Sequence, residues 1–96
     1  MHRTSRKQVE KILECLSHRE TGYQLIPHSF CGKDNYYYKY SIGRYSRQPE
    51  YTDVFGRVIT WTSWKYEETI LEFVSLKKAY EYASNMLSES LRNDKN

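Results

Sequence analysis

Apolar residues return every three or four positions near the start of the chain. Val9, Ile12, Leu13 and Leu16 stand at i, i+3, i+4 and i+7 and predict one apolar face of a helix. Ser5 and Gln8 precede that stripe at capping-box spacing, which lets a hydroxyl and an amide satisfy free backbone donors reciprocally. His18 and Arg19 fall in the expected last turn, and Gly22 is the expected stop. The same period returns at the other end, where Ser75 is expected to cap a second helix. Its stripe is Leu76, Ala79, Tyr80, Ala83, Met86, Leu87 and Leu91, and the tail 92–96 is expected to fray.

Between the helices the period shortens to two. Pro27, Gly32 and Lys33-Asp34-Asn35 predict a loop, followed by a strand over Tyr36–Tyr45. Alternation puts Tyr36, Tyr38, Tyr40 and Ile42 on one face, expected to be the inner one. Tyr37, Lys39, Ser41 and Tyr45 take the other, expected to be displayed. Ser46 to Glu50 reads as a polar connection. A β-branched and aromatic run from Val54 to Trp64 predicts the second strand, with Gly56 as a bulge. Lys65 to Glu68 predicts a tight turn, and Thr69–Val74 a short closing strand.

The predicted fold class is therefore α+β: an N-terminal helix, a three-stranded antiparallel sheet and a C-terminal helix, with both helices packed on one sheet face. Neither a short meander nor two amphipathic helices would be stable alone in water, so each layer needs the other. Ninety-six residues fit one domain spanning 1–96, with one modest core. Ten tyrosines stand against three Phe and two Trp, more than a core of that size needs. Because Tyr is apolar at one end and hydrogen-bonding at the other, the surplus suits a wet interface.

Charge divides the chain in two. Residues 1–47 carry nine Lys/Arg against four Asp/Glu, a net +5, and residues 48–96 carry six against eight, a net −2. A basic half suggests a face for an anionic partner, against the plainer reading of a mixed solvated surface. No apolar run approaches the roughly 20 residues of a membrane-spanning helix, and the N-terminus lacks a signal peptide's apolar stretch. The expected setting is the cytoplasm of the host cell, with no membrane partner and with Cys15 and Cys31 as free thiols.

Several patterns touch on chemistry. Cys15-x2-His18 and His28-x2-Cys31 have the ligand types and count of a structural zinc site. On a helix, however, Cys15 falls roughly 110° from the centre of the apolar stripe and His18 nearly opposite it. The pair His28 and Cys31 has no orienting third group that sequence can identify. The glycines at 22, 32, 43 and 56 are scattered, unlike a phosphate-cradling loop. Glu67 and Glu68 adjoin in a predicted turn, where a solvated pair is expected. The reading is a non-enzymatic protein that needs no cofactor.

The stronger lead is basic–aromatic interleaving. Tyr37, Lys39, Arg44, Tyr45, Arg47, Tyr51 and Arg57 make a candidate partner-binding set. Cations for phosphate with flat rings for bases describe a nucleic-acid binder. Tyr and Arg are equally what protein interfaces select. A small-ligand or nucleotide sponge is a third use, and an open sheet face also suits a homodimer.

Two resemblances bear on these alternatives. Thr4-Ser5-Arg6-Lys7-Gln8 with its amphipathic helix and glycine stop resembles the opening of many short phage-encoded accessory proteins. The aromatic strand and the closing helix Ser75-Leu76-Lys77-Lys78-Ala79-Tyr80 are similar in style. That resemblance implies inhibition of a bacterial host or defence complex, including anti-CRISPR activity against a CRISPR-Cas effector. Phe55-Gly56-Arg57-Val58, then Phe73, Ser75-Leu76 and Ala79, resembles the strand-and-helix half of the WGR module. That one implies DNA contact, with Phe55 standing where the module has its namesake Trp and with a longer Thr60-to-Glu68 segment.

Overall fold

The computed structural model describes residues 4–93. Helix α1 spans Arg6–Leu16 and starts as its capping box directs. Ser5 Oγ accepts the Gln8 N–H at 3.3 Å, and Gln8 Oε1 accepts the Ser5 N–H at 3.0 Å. The helix stops at Leu16, six positions before the expected Gly22. Ser17 is extended, donates its hydroxyl to the Leu13 carbonyl at 2.8 Å and accepts the Tyr23 N–H at 3.2 Å. One side chain thus closes the helix and starts the next element.

That next element, β1 (Thr21–Cys31), occupies the segment the sequence assigns to a helix stop and a loop. Pro27 does not break the strand, because a proline is tolerated on an edge strand and β1 is one. Strand β2 (Tyr36–Ser46) pairs with it antiparallel along its whole length, from Thr21↔Ser46 to Cys31↔Tyr36. The chain then leaves the sheet for a hairpin, β3 (Pro49–Thr52) and β4 (Val58–Trp61), which forms a small sheet of its own. It returns as β5 (Lys65–Val74), antiparallel on the far side of β2. Helix α2 (Leu76–Asn93) follows, with Ser75 Oγ accepting the Lys78 N–H at 3.3 Å.

The α+β class, the three-stranded antiparallel sheet and the two terminal helices match expectation, but the strands differ. The run Val54–Trp64 is a turn plus one arm of the separate hairpin, and Lys65–Glu68 begins β5 in place of a turn. Gly56, at φ 84°, sits in the hairpin turn, where a residue without Cβ is favoured, and not in a bulge. The pairing of β2 with β5 does carry register shifts, at three places. Arg92 and Asn93 belong to α2, and residues 94–96 of the expected fray lie outside the described residues.

Val9, Leu13 and Leu16 of α1, Ala79 and Ala83 of α2, and Leu25, Tyr40 and Ile42 of the sheet form one buried cluster. Leu25, Ile42 and Leu71 are neighbours across the three strands. Tyr82 packs against this cluster, whereas Tyr80 and Leu91 of the expected stripe are exposed. Tyr36 and Tyr38, expected inside, are exposed as well: they stand at the far end of the β1–β2 ribbon, beyond the last core residue, Tyr40. Ser41, expected on display, is buried.

The molecule measures 61 × 32 × 20 Å. Its radius of gyration is 16.6 Å, against roughly 12–13 Å for a compact chain of about this length. The β3–β4 hairpin explains the excess, since its substantial contacts are between its own two strands. No helix among the described residues is long and apolar enough to cross a membrane.

Candidate functional site

Aromatic side chains gather at the outer end of the β1–β2 ribbon. Phe30 and Tyr37 are register partners whose rings stack at 5.4 Å and 14°. Phe73 of β5 meets Phe30 edge-on at 6.1 Å and lies 4.7 Å from the His28 ring. The buried Ser41 hydroxyl fixes this group, bonding His28 Nε2 at 3.1 Å and accepting the Phe73 N–H at 3.2 Å. Phe73 has φ 49°, in the left-handed region that costs a non-glycine residue energy. It opposes Ser41 where the β2–β5 register shifts between Tyr40 and Ile42. The hydroxyl is enclosed and engaged twice, which suits it to holding strands together and not to attacking a substrate.

A second group lies at the other end of the sheet. Tyr45 and Tyr66 meet edge-on at 5.7 Å, and Tyr66 Oη is hydrogen-bonded to Thr69 Oγ1. Arg47 is held between two indoles, its guanidinium 4.7 Å from the Trp61 ring and 4.5 Å from that of Trp64. Its Nε–H donates to the Arg19 carbonyl at 2.6 Å, and its backbone N–H to that of Glu20 at 3.0 Å. One residue therefore ties the root of the hairpin to the α1–β1 connection.

The seven candidate residues do not form one surface. Tyr37 and Lys39 join the aromatic end, Lys39 lying opposite His28 in register. Tyr45 and Arg47 belong to the second group, and Tyr51 and Arg57 ride on the hairpin. Arg44 pairs with Glu68 at 3.2 Å, and Arg57 with Asp53 at 2.9 Å. Three of the four candidate cations, Arg44, Arg47 and Arg57, are thus engaged within the protein, leaving Lys39 as the one with no ion pair or cation–π partner among the described residues.

Cys15, His18, His28 and Cys31 are not gathered together. Cys15 is exposed on α1, His18 follows that helix, and His28 and Cys31 lie three apart on β1, where strand alternation turns them to opposite faces. Among the described residues no group of three or more His, Cys, Asp or Glu is placed to hold a metal ion.

The candidate partner-binding set left out Phe30, Tyr66 and Phe73 of the two aromatic groups and Trp61 and Trp64 of the clamp. Trp61 and Phe73 were expected in the core, where Phe73 is instead 51% exposed. Phe30 carried a usable signal, since Leu25–Phe30 is apolar enough for a strand once Pro27 is allowed at an edge. The chain matches no protein-family model, no curated protein and no solved structure.

Proposed function

We propose that this chain is a non-catalytic binding protein that docks a partner protein on its aromatic sheet face. In this reading both helices cover the Leu25–Ile42 face, and the opposite face, centred on Phe30, Tyr37 and Phe73 with Lys39 beside them, meets the partner. The observation that carries it is the state of the arginines. A phosphate-binding face needs free cations, whereas Arg44 and Arg57 are paired with carboxylates and Arg47 is enclosed by indoles. What remains exposed is apolar area held in fixed geometry, the material of interface hot spots. The role proposed is that of a phage-type accessory inhibitor acting in the bacterial cytoplasm, covering the working surface of a host or defence complex such as a CRISPR-Cas effector.

The test is recovery of a partner from bacterial lysate on the immobilised chain, with and without nuclease. The expected result is a protein retained after nuclease and across roughly 50 to 200 mM salt, a range over which phosphate-dominated binding falls steeply. Replacing Tyr37 by Ser and Lys39 by Glu together should abolish it. Recovery that disappears with nuclease would put a nucleic acid on this face and overturn the reading.

A further inference from the structure

The hairpin ends in a turn fixed by hydrogen bonds. Asp53 Oδ1 accepts the backbone N–H groups of Phe55 at 2.9 Å and Arg57 at 2.8 Å, and Oδ2 accepts Arg57 Nε–H at 2.9 Å. Two backbone bonds complete it, Asp53 N–H to the Arg57 carbonyl at 2.8 Å and Gly56 N–H to the Asp53 carbonyl at 3.0 Å. This turn presents Val54 and Phe55, which are 93% and 80% exposed. A turn already ordered loses little entropy when it is buried, so these side chains are prepared to enter an apolar site. The Asp53–Arg57 pair leaves the tip without net charge, so its apolar side chains are what it chiefly presents.

An apolar site lies at the opposite end of the arm. An open pocket of about 330 Å³ is lined by Ser17, Gly22, Tyr23, Gln24, Tyr45 and Trp64. Gly22 helps keep it open, because a Cβ there would come within 3.2 Å of the Trp64 ring. Trp64 follows the end of β4 by three residues, so the pocket sits at the arm's root. A chain cannot reach its own pocket with its own tip, since roughly 20 Å of strand separates them.

We propose that the chain forms a symmetric dimer in which two arms lie antiparallel, each seating Val54 and Phe55 in the root pocket of the other copy. A two-fold axis makes both contacts identical, so they close together whatever the length of the arm. Laying the arms side by side also gives the ribbon the packing it lacks, because a lone two-stranded hairpin is marginal in water. Tyr51 and Ile59, 64% and 68% exposed along the arm, lie where the second arm would cover them. Neither Tyr37 nor Lys39 takes part, so this contact and the partner face stand or fall separately.

Sedimentation of the full chain from about 1 to 100 μM tests the dimer. The mass should rise from 11.6 kDa to twice that value, and Phe55→Ser should weaken self-association by about tenfold or more. Tyr37→Ser should leave it unchanged. The contact itself is read by cross-linking, after Cys15→Ser and Cys31→Ser remove both native thiols. Oxidising a mixture of Phe55→Cys and Gln24→Cys chains should give a covalent heterodimer, which neither preparation gives alone. A monomer across the whole range would overturn the proposal, as would a dimer indifferent to Phe55→Ser. An open series of larger species would also overturn it, since that means head-to-tail contact.

Discussion

The hydroxyl of Ser41 accepts the backbone N–H of Phe73 at 3.2 Å, across a register shift in which Phe73 is held at φ 49°. An otherwise unfavourable backbone conformation therefore rests on one buried side chain. Ser41→Ala removes the acceptor while His28 and the Phe73 N–H keep their positions. The expected loss is about 1–2 kcal/mol, since the His28 nitrogen and the Phe73 N–H lose their partner in part-buried surroundings. It should appear as a lower urea midpoint together with faster hydrogen exchange at Phe73. Unchanged exchange there would mean that the hydroxyl does not hold the strand.

Arg47→Lys keeps the charge and loses the planar group between Trp61 and Trp64, along with the Nε–H bond to Arg19. Lysine cannot replace a stacked, fork-shaped donor. Stability should fall by about 1–2 kcal/mol, the scale of a partly desolvated cation–π contact. Tryptophan fluorescence should change with it. Equal stability for Lys and Arg would reduce the clamp to a charge effect.

The hairpin tip should loosen in acid. The backbone N–H of Arg57, followed by the Phe55 N–H and the Arg57 side chain, holds the Asp53 carboxyl below its ordinary value, against a desolvation effect that raises it. A group whose folded value is depressed adds stability that is complete above its unfolded value. That stability is lost as pH falls through the folded one. Hydrogen exchange at Phe55 and Arg57, corrected for intrinsic rates, should rise below about pH 4. Asp53→Asn keeps an acceptor oxygen and should remove the pH dependence; a dependence that persists would place its origin elsewhere.

Ile42 is fully buried in the central strand between Leu25 and Leu71. Ile42→Ala should cost about 2–5 kcal/mol, a large share of the total for a domain of this size. Leu91 belongs to the apolar stripe predicted for the C-terminal helix but is 57% exposed. Leu91→Ala should stay within about 0.5 kcal/mol. Thermal denaturation of the two variants side by side checks the contrast, and a comparable loss at Leu91 would mean that the end of α2 is buried in solution.

Both helices were legible because their signals are local. Ser5, Gln8, Val9 and Leu13 specify α1 within a few turns, and Ser75 marks the start of α2. Strand β2 was legible from its tyrosines. Its neighbour β1 was not, because Gly22 and Pro27 are read locally as breakers, and only pairing with β2 over eleven residues makes them strand positions. The candidate site suffered for the same reason. Tyr37 could be named from its own strand, but its stacking on Phe30 depends on a strand the local signals hid, and Phe73 reaches the group through a register shift. Arg47 was named as a free cation because its two indoles lie 14 and 17 positions further on.

Pro27 and the irregular pairing of β5 also bear on what an aromatic-rich sheet does at high concentration. Each lies in one of the two outermost strands, β1 and β5, where a regular row of unpaired amides and carbonyls would template another chain. The proline withdraws one donor from the first edge, and the three register shifts break the spacing along the second. Growth of the sheet by lateral addition is thereby frustrated on both sides. A variant with Pro27 replaced by Val and the β5 insertions deleted should form fibrils faster than the unaltered chain at equal concentration, as followed by thioflavin fluorescence.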